Sequence, residues 1–275
     1  MKKGLTELVF IIDRSGSMSG LEDDTIGGFN SMLQQQKAVE GEAVVTTILF
    51  DDRCSLLHDR IDIQAVAPLT RDDYRVGGNT ALLDAIGMAI HKIRKVQRTT
   101  SEEFRAEKVM FFIITDGQEN SSRHYTAAMI QERINHQKQK HGWEFLFFGA
   151  NMDAIAEAAK IGIAADRAQN YCADSLGTSS VYSSMSAMST AFRTGKPLSS
   201  VGLTDVTTEE SEPQSAKAAL VNLRKVVGGL RNSMSELVGE FEEMVRVAKA
   251  NGGKLPDVNE IARQVLGEKN GKENE

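Results

Sequence analysis

Four short apolar runs constrain this chain more than any other feature of it: residues 5–12 (LTELVFII), 43–50 (AVVTTILF), 108–114 (KVMFFII) and 143–148 (WEFLFF). Each is the length of one strand, rich in β-branched or aromatic residues and bounded by turn chemistry. Runs this uniformly apolar suit a sheet covered on both faces, where neither side of the strand meets water. A weaker run, 168–172, reads as a fifth strand. Residues 53–61 are charged and broken, which fits an edge strand antiparallel to 43–50 through the tight Asp51–Asp52 turn.

Helical patterns lie between the strands. Leu82, Leu83, Ile86, Ile90 and Ile93 recur at helix spacing, as do Ile26, Phe29, Met32 and Leu33. Residues 125–140 read as a mostly polar surface helix, 152–160 as a short alanine-rich one, and Val181, Met185, Met188 and Phe192 as the seam of another. Strands alternating with helices predict right-handed βαβ units. In such sheets ligands sit beyond the carboxyl ends of the strands.

After residue 195 the character changes. Residues 196–213, rich in Ser, Thr and Glu with two prolines, read as a linker. Residues 214–267 read as a helical extension. Its seam runs Leu220, Leu223, Val227, Leu230, Met234, Leu237, Phe241, Met244 and Ala248, in heptad steps of three and four. Gly228 and Gly229 weaken that helix by about 1 kcal/mol each. Such a seam over 220–248 can drive homo-oligomerisation, dock a partner helix or fold back on its own domain, and the sequence leaves these open. Residues 268–275 are charged and read as a disordered tail.

The 275 residues are 41% hydrophobic and 25% charged, a globular composition, with a net charge of −6 that disfavours nucleic acid or an anionic membrane as main partner. No apolar stretch reaches membrane-spanning length. The opening MKKGLTELVFIID imitates a signal peptide, but Glu7 interrupts a short run and no small-residue cleavage site follows. With only Cys54 and Cys172, no disulfide framework is indicated. A cytoplasmic location is the expectation.

Three of the expected loops carry oxygen ligands: Asp13-Arg14-Ser15-Gly16-Ser17 after the first strand, Gly77-Gly78-Asn79-Thr80 before the Leu82 helix, and Thr115-Asp116-Gly117 after the 108–114 strand. Two carboxylates (Asp13, Asp116) and three hydroxyls (Ser15, Ser17, Thr80) suit a small hard cation such as Mg²⁺, although oxygen ligands also admit Mn²⁺ or Ca²⁺. No His or Cys cluster suits zinc. Two carboxylates leave the ion electrophilic, ready for an incoming Asp or Glu.

This set, Asp13-x-Ser15-x-Ser17 with Thr80 and Asp116, resembles the metal ion-dependent adhesion site of von Willebrand factor A domains. The flanks Val9-Phe10-Ile11-Ile12, Gly78-Asn79-Thr80-Ala81-Leu82 and Ile114-Thr115-Asp116-Gly117 are similar too. The resemblance covers roughly residues 5–195, within an expected domain of residues 1–195. It implies an α/β fold with a doubly wound, mostly parallel six-stranded sheet (five parallel strands and one antiparallel edge strand) and helices on both faces. It implies that the serines and threonine hold the ion directly, the aspartates directly or through water, and that a partner's acid completes the shell. Intracellular bacterial members work beside AAA+ ATPases or in stress and tellurite-resistance systems, which by analogy is the expected kind of partner.

No residue reads as catalytic, since no nucleophile stands against a general base and the phosphate-binding lysine of a P-loop is missing near Gly77. A Mg²⁺-dependent phosphatase is the enzymatic alternative, with Asp13 as nucleophile; Ser15 in place of the second aspartate of Asp-x-Asp argues against it. Arg14, Asn79, Glu119 and Asn120 are candidates for supporting the ligands or facing a partner. The five histidines are scattered over expected edges and helix surfaces, and Met185, Met188 and Trp143 read as packing.

Overall fold

A computed structural model describes residues 1–203; the readings made above for the linker beyond 203, the heptad seam and the tail lie outside the described residues. Six strands, β1 (Lys2–Asp13), β2 (Ala43–Phe50), β3 (Cys54–Asp62), β4 (Ala106–Thr115), β5 (Glu144–Ala150) and β6 (Ala168–Tyr171), form one sheet in the order β3-β2-β1-β4-β5-β6. Only the β2–β3 pairing is antiparallel. The helices are α1 (Glu22–Lys37), α2 (Leu82–Thr99), α3 (Ala127–His141), α4 (Ala154–Lys160) and α5 (Ser175–Arg193). This is the doubly wound, Rossmann-like sheet that the motif resemblance implies.

Strand alternation divides the core. Leu8, Phe10, Ile12, Met110, Phe112, Ile114, Leu146 and Phe148 face α1 and α5, where they meet Phe29, Met32, Val181, Met185 and Met188. Their neighbours Val9, Ile11, Val109, Phe111, Ile113, Phe145 and Phe147 face α2, α3 and α4. Both faces of the central strands are therefore buried, which is why those runs carry no polar alternation. Phe10 stacks on Phe112 with centroids 5.0 Å apart and meets Phe29 edge-on at 5.3 Å. Each such pair adds about 0.5–1.5 kcal/mol to the area it buries. Trp143 packs against Phe111 at 5.5 Å.

Polar groups finish the helix ends. Thr126, Asp153 and Asp174 accept N–H bonds as N-caps of α3, α4 and α5. The carbonyls of Phe192 and Arg193 at the end of α5 accept from Lys108 Nζ on β4. Arg193, itself buried, donates to the carbonyls of Gln36, in the last turn of α1, and of Val39 and Gly41 just beyond it, so α1 and α5 end on a shared set of bonds.

One residue departs from its sequence reading. His58 lies on the edge strand as expected but is buried, not exposed, with Nδ1 3.0 Å from Thr47 Oγ1 on β2. Burial pushes its pKa down. An edge strand has one covered face, and residue 58 falls on it. Cys54 and Cys172 stand at opposite edges of the sheet, on β3 and just after β6, which precludes a bridge between them. Among the described residues no helix is long and apolar enough to cross a membrane.

Candidate metal centre

In the order 3-2-1-4-5-6 the chain leaves β1 to one side through β2 and returns on the other as β4. The crevice between the carboxyl ends of β1 and β4 is thus the topological switch point of the sheet. The β1–β4 register pairs Ile12 with Ile114, which sets Asp13 beside Thr115 and brings Asp116 within reach.

Asp13 turns the chain as it leaves β1. Its Oδ1 accepts the Ser15 N–H at 2.7 Å, and its Oδ2 accepts the Thr115 hydroxyl at 2.5 Å. The Tyr74 hydroxyl, from the loop after β3, donates to the Asp13 carbonyl at 2.5 Å. Residues Gly16–Met18 then make a single tight helical turn, so Ser15 and Ser17 present their hydroxyls 3.0 Å apart. The Ser17 hydroxyl donates to Asp116 Oδ1 at 2.5 Å.

Thr80 arrives on a loop laced to the first one. Gly77 N–H donates to the Arg14 carbonyl at 2.9 Å, and Gly16 N–H to the Gly78 carbonyl at 3.1 Å. Asn120 grips Thr80 from both sides: its side-chain oxygen accepts Thr80 N–H at 2.9 Å, and its own N–H donates to the Thr80 carbonyl at 3.1 Å. Helix α2 starts at Ala81 without a side-chain cap of its own. The loop after Asp116 supplies one: Glu119 accepts from Leu83 N–H and Ser122 Oγ from Asp84 N–H. Capping the helix therefore also fixes the Thr80 loop against the Asp116 loop.

The convergence is visible at Gly117. A Cβ there would stand 2.8 Å from Thr80 Oγ1, 2.9 Å from Ser17 Oγ and 3.7 Å from Ser15 Oγ. Only a residue without a side chain leaves those three oxygens in place. Gly117→Ala is expected to displace the Thr80 and Ser17 hydroxyls and weaken cation binding tenfold or more, with the fold retained; isothermal calorimetry beside circular dichroism checks both halves.

Asp13, Ser15, Thr80 and Asp116 are buried, whereas Ser17 is exposed, so the cluster opens on the Ser17 side. Neither aspartate joins an ion pair among the described residues; Arg14, the cation between the ligands in sequence, instead places its Nε 2.9 Å from Asp51. Burial pushes the Asp13 pKa up to about 6 against the Thr115 and Ser15 bonds, and raises that of Asp116 against the Ser17 bond. Asp116 Oδ2 is buried without a hydrogen-bond partner among the described residues. An orphaned carboxylate oxygen beside three hydroxyls fits a cation: hydroxyl protons rotate, and the same oxygens can then offer lone pairs. Among the described residues no three His, Cys, Asp or Glu side chains cluster where they can hold a metal, so the donor set is hydroxyl-rich and hard, unlike a zinc site.

The remaining candidates are placed as follows. Asn79 is exposed at the rim next to Thr80. Glu119 spends its carboxylate on the N–H groups of Leu83, Ser121 and Ser122 and on the Ser122 hydroxyl, which makes it a brace for the loops. Asn120 positions Thr80. His124 uses its N–H on Asp84 and is exposed, apart from the five oxygens. Thr115, Tyr74 and Gly117 were not singled out from the sequence. Thr115 and Gly117 flank Asp116 in the motif, a signal that was present; a lone tyrosine in a polar loop gives none.

No family model matches the chain, and no curated protein matches it. Solved structures do. One is proximal thread matrix protein 1 from the mussel byssus with a zinc-occupied MIDAS motif, at 14% identity and TM-score 0.47, covering 68% of this chain and 46% of that one. Another is von Willebrand factor type A from Catenulispora acidiphila, at 17% identity and TM-score 0.46, covering 68% and 42%. A third is the manganese-loaded Plasmodium vivax TRAP protein, at 19% identity and TM-score 0.39, covering 54% and 58%. The chain thus spans less than half the length of the first two and 58% of the third.

Proposed function

We propose that this chain is a metal-dependent protein-binding module in which Asp13, Ser15, Ser17, Thr80 and Asp116 hold one Mg²⁺ and an Asp or Glu of a protein partner completes its coordination. The observation that carries the reading is the pair of buried carboxylates, Asp13 and Asp116, gathered with three hydroxyl oxygens and, among the described residues, given no cationic side chain. Buried carboxylates are costly unless a positive charge compensates them. When bound, the ion supplies an electrophilic position on the open Ser17 side that favours a carboxylate ligand. Mn²⁺ and Ca²⁺ are the alternative occupants.

Binding is favoured over catalysis because both oxygens of Asp13 already accept hydrogen bonds, from Ser15 N–H and Thr115 Oγ1, which does not suit an attacking nucleophile. A cytoplasmic setting and a partner of the AAA+ or stress-response class belong to the same proposal, by analogy with the family the motif resembles.

Calorimetry of the full chain against MgCl₂, paired with pull-downs in Mg²⁺ or EDTA, tests it. One ion per chain is expected, with a partner captured in Mg²⁺ alone, and Asp116→Ala is expected to lose both. Equal metal binding by wild type and Asp116→Ala would refute the site.

A further inference from the structure

The exposed side of α2 carries a feature that the metal centre does not explain. Beside the ion rim at Asn79 a cavity of about 930 Å³ opens, with Arg53, Arg123, His124 and Arg133 in its lining. His91 lines it too and also belongs to a second hollow of about 220 Å³, made with Arg94, Lys95 and Arg98. Arg94 and Arg98 in turn border a third cavity of about 520 Å³, which contains Arg105, Lys140 and His141. The shared residues place the three hollows side by side along α2, a segmented groove that starts at the ion rim.

This groove is cationic in a chain of net charge −6. Among the described residues, Arg53, Arg94, Lys95, Arg98, Arg123 and Arg133 form no ion pair. The carboxylates that border the groove are largely engaged. Asp84 accepts the N–H groups of Arg123, His124 and Tyr125. Glu102 pairs with the N-terminal amine, and Glu107 accepts Gly4 N–H. Asp52, at the rim beside Gly78, is exposed, as are Glu102 and Glu107. Eight arginine and lysine side chains line the three hollows against four carboxylates, Asp52, Asp84, Glu102 and Glu107, so positive charge predominates along α2. Its effect is felt at the far end, where His141 has its pKa pushed down by burial first and then by His136, Arg105, Lys140 and Arg94.

The groove is not purely electrostatic. Met88, Met129 and the Tyr125 ring, with the Arg133 guanidinium 5.1 Å above that ring, give its upper part an apolar floor. The seventeen residues of helix from Leu82 to Arg98 span about 24 Å, the length of about seven residues of extended chain. Carboxylate side chains on such a segment match both the cations and the ion at its upper end.

We propose that this groove is the second half of the partner site: the partner's acidic residue on the ion is followed by an extended, acidic polypeptide segment of about seven residues lying along α2. The proposal rests on the metal-dependent binding reading for its upper end. A polypeptide is favoured over nucleic acid because the groove begins at a site built for carboxylates and carries methionine and tyrosine surface for intervening side chains. It also explains how a chain with a negative total charge attracts an acidic partner.

Fluorescence anisotropy of the full chain with a labelled acidic heptapeptide alternating Glu with Leu, and with its Gln-for-Glu counterpart, tests the groove. The acidic peptide is expected to bind at least tenfold more tightly than the neutral one, with affinity that falls as salt rises. Arg94→Gln/Lys95→Gln/Arg98→Gln, all at exposed positions, is expected to lose that tenfold while its calorimetric Mg²⁺ binding stays at the wild-type value. Asp116→Ala is expected to lose Mg²⁺ binding and to hold the acidic peptide more weakly, too weakly for a pull-down, yet to keep its salt-sensitive preference for Glu over Gln, which separates failure of the groove from failure of the metal centre. Equal binding of both peptides, or no loss in the triple variant, overturns the proposal. So does tighter binding of a single-stranded oligonucleotide or of phosphatidylserine vesicles than of the acidic peptide.

Discussion

Asp13→Asn is expected to make the metal-free protein more stable while abolishing its cation binding. Asp13 is fully buried, and burial lifts its carboxyl from 3.8 to about 6. The folded protein therefore keeps a proton that the unfolded chain gives up near pH 4. The stability tied to that proton is whole below the unfolded value and is lost as pH climbs through about 6. At pH 7.5 the metal-free fold carries the full cost, about 3 kcal/mol for a shift of this size. Asparagine removes the charge and keeps the bonds: its oxygen can accept from Ser15 N–H, and its amide can donate to Thr115 Oγ1, whose proton then goes to the Gly117 carbonyl 3.0 Å away. Urea unfolding in EDTA is expected to show the variant ahead by about 2–3 kcal/mol at pH 7.5 and level with wild type at pH 4. Saturating Mg²⁺ should reverse the order at pH 7.5, since it stabilises only the protein that binds it. A variant less stable than wild type in EDTA at pH 7.5, with calorimetric Mg²⁺ binding intact, would show that Asp13 is an ordinary strand-end aspartate.

The strands were legible because the sheet is covered on both faces. Runs such as 43–50 had no other stable home, and strand β2 occupies that span. Ends were less legible: β1 begins at Lys2 and β4 at Ala106, where ladder bonds extend past the apolar stretch. The five oxygen-bearing residues announce themselves because their spacing survives in the text. What holds them does not. The Tyr74 hydroxyl reaches the Asp13 carbonyl from 61 positions away, and Asn120 meets Thr80 across 40. Such bonds depend on loop paths that no local pattern encodes. Glu119 and Arg14 illustrate the reverse case. Charged residues beside a motif invite a role toward a partner, but backbone N–H groups and Asp51 are already their partners here. Glu7 interrupts the first apolar run in the sequence, yet in the fold it is buried with the apolar residues around it.

Arg60→Met is expected to destabilise the fold by about 3 kcal/mol at neutral pH. Glu7 sits in the middle of β1 with its side chain fully buried, and Arg60 Nε lies 3.0 Å from its Oε1. Gln97 donates to the other oxygen at 3.2 Å, and Lys92 adds a weaker attraction. Arg60 reaches inward from a β3 position with φ 51°, next to a register shift against β2. Methionine keeps a Cβ at that strained position, so the backbone cost is the same in both proteins and only the guanidinium is lost. The Glu7 pKa is already raised, because burial outweighs the attraction of Arg60. Without Arg60 it rises further, so the carboxyl takes up a proton more readily as pH falls. The penalty should therefore be largest near pH 8 and shrink toward pH 5, a dependence that simple loss of packing would not produce. Glu7→Gln/Arg60→Met removes both charges and leaves Gln97 a partner, so it is expected to recover to within about 1 kcal/mol of wild type. Urea unfolding at both pH values decides. A penalty independent of pH, or a double variant as weak as the single one, would mean that Arg60 serves β3 and not the charge buried in β1. Mg²⁺ affinity should hold throughout, because Glu7 lies six residues before Asp13, about 20 Å down an extended strand.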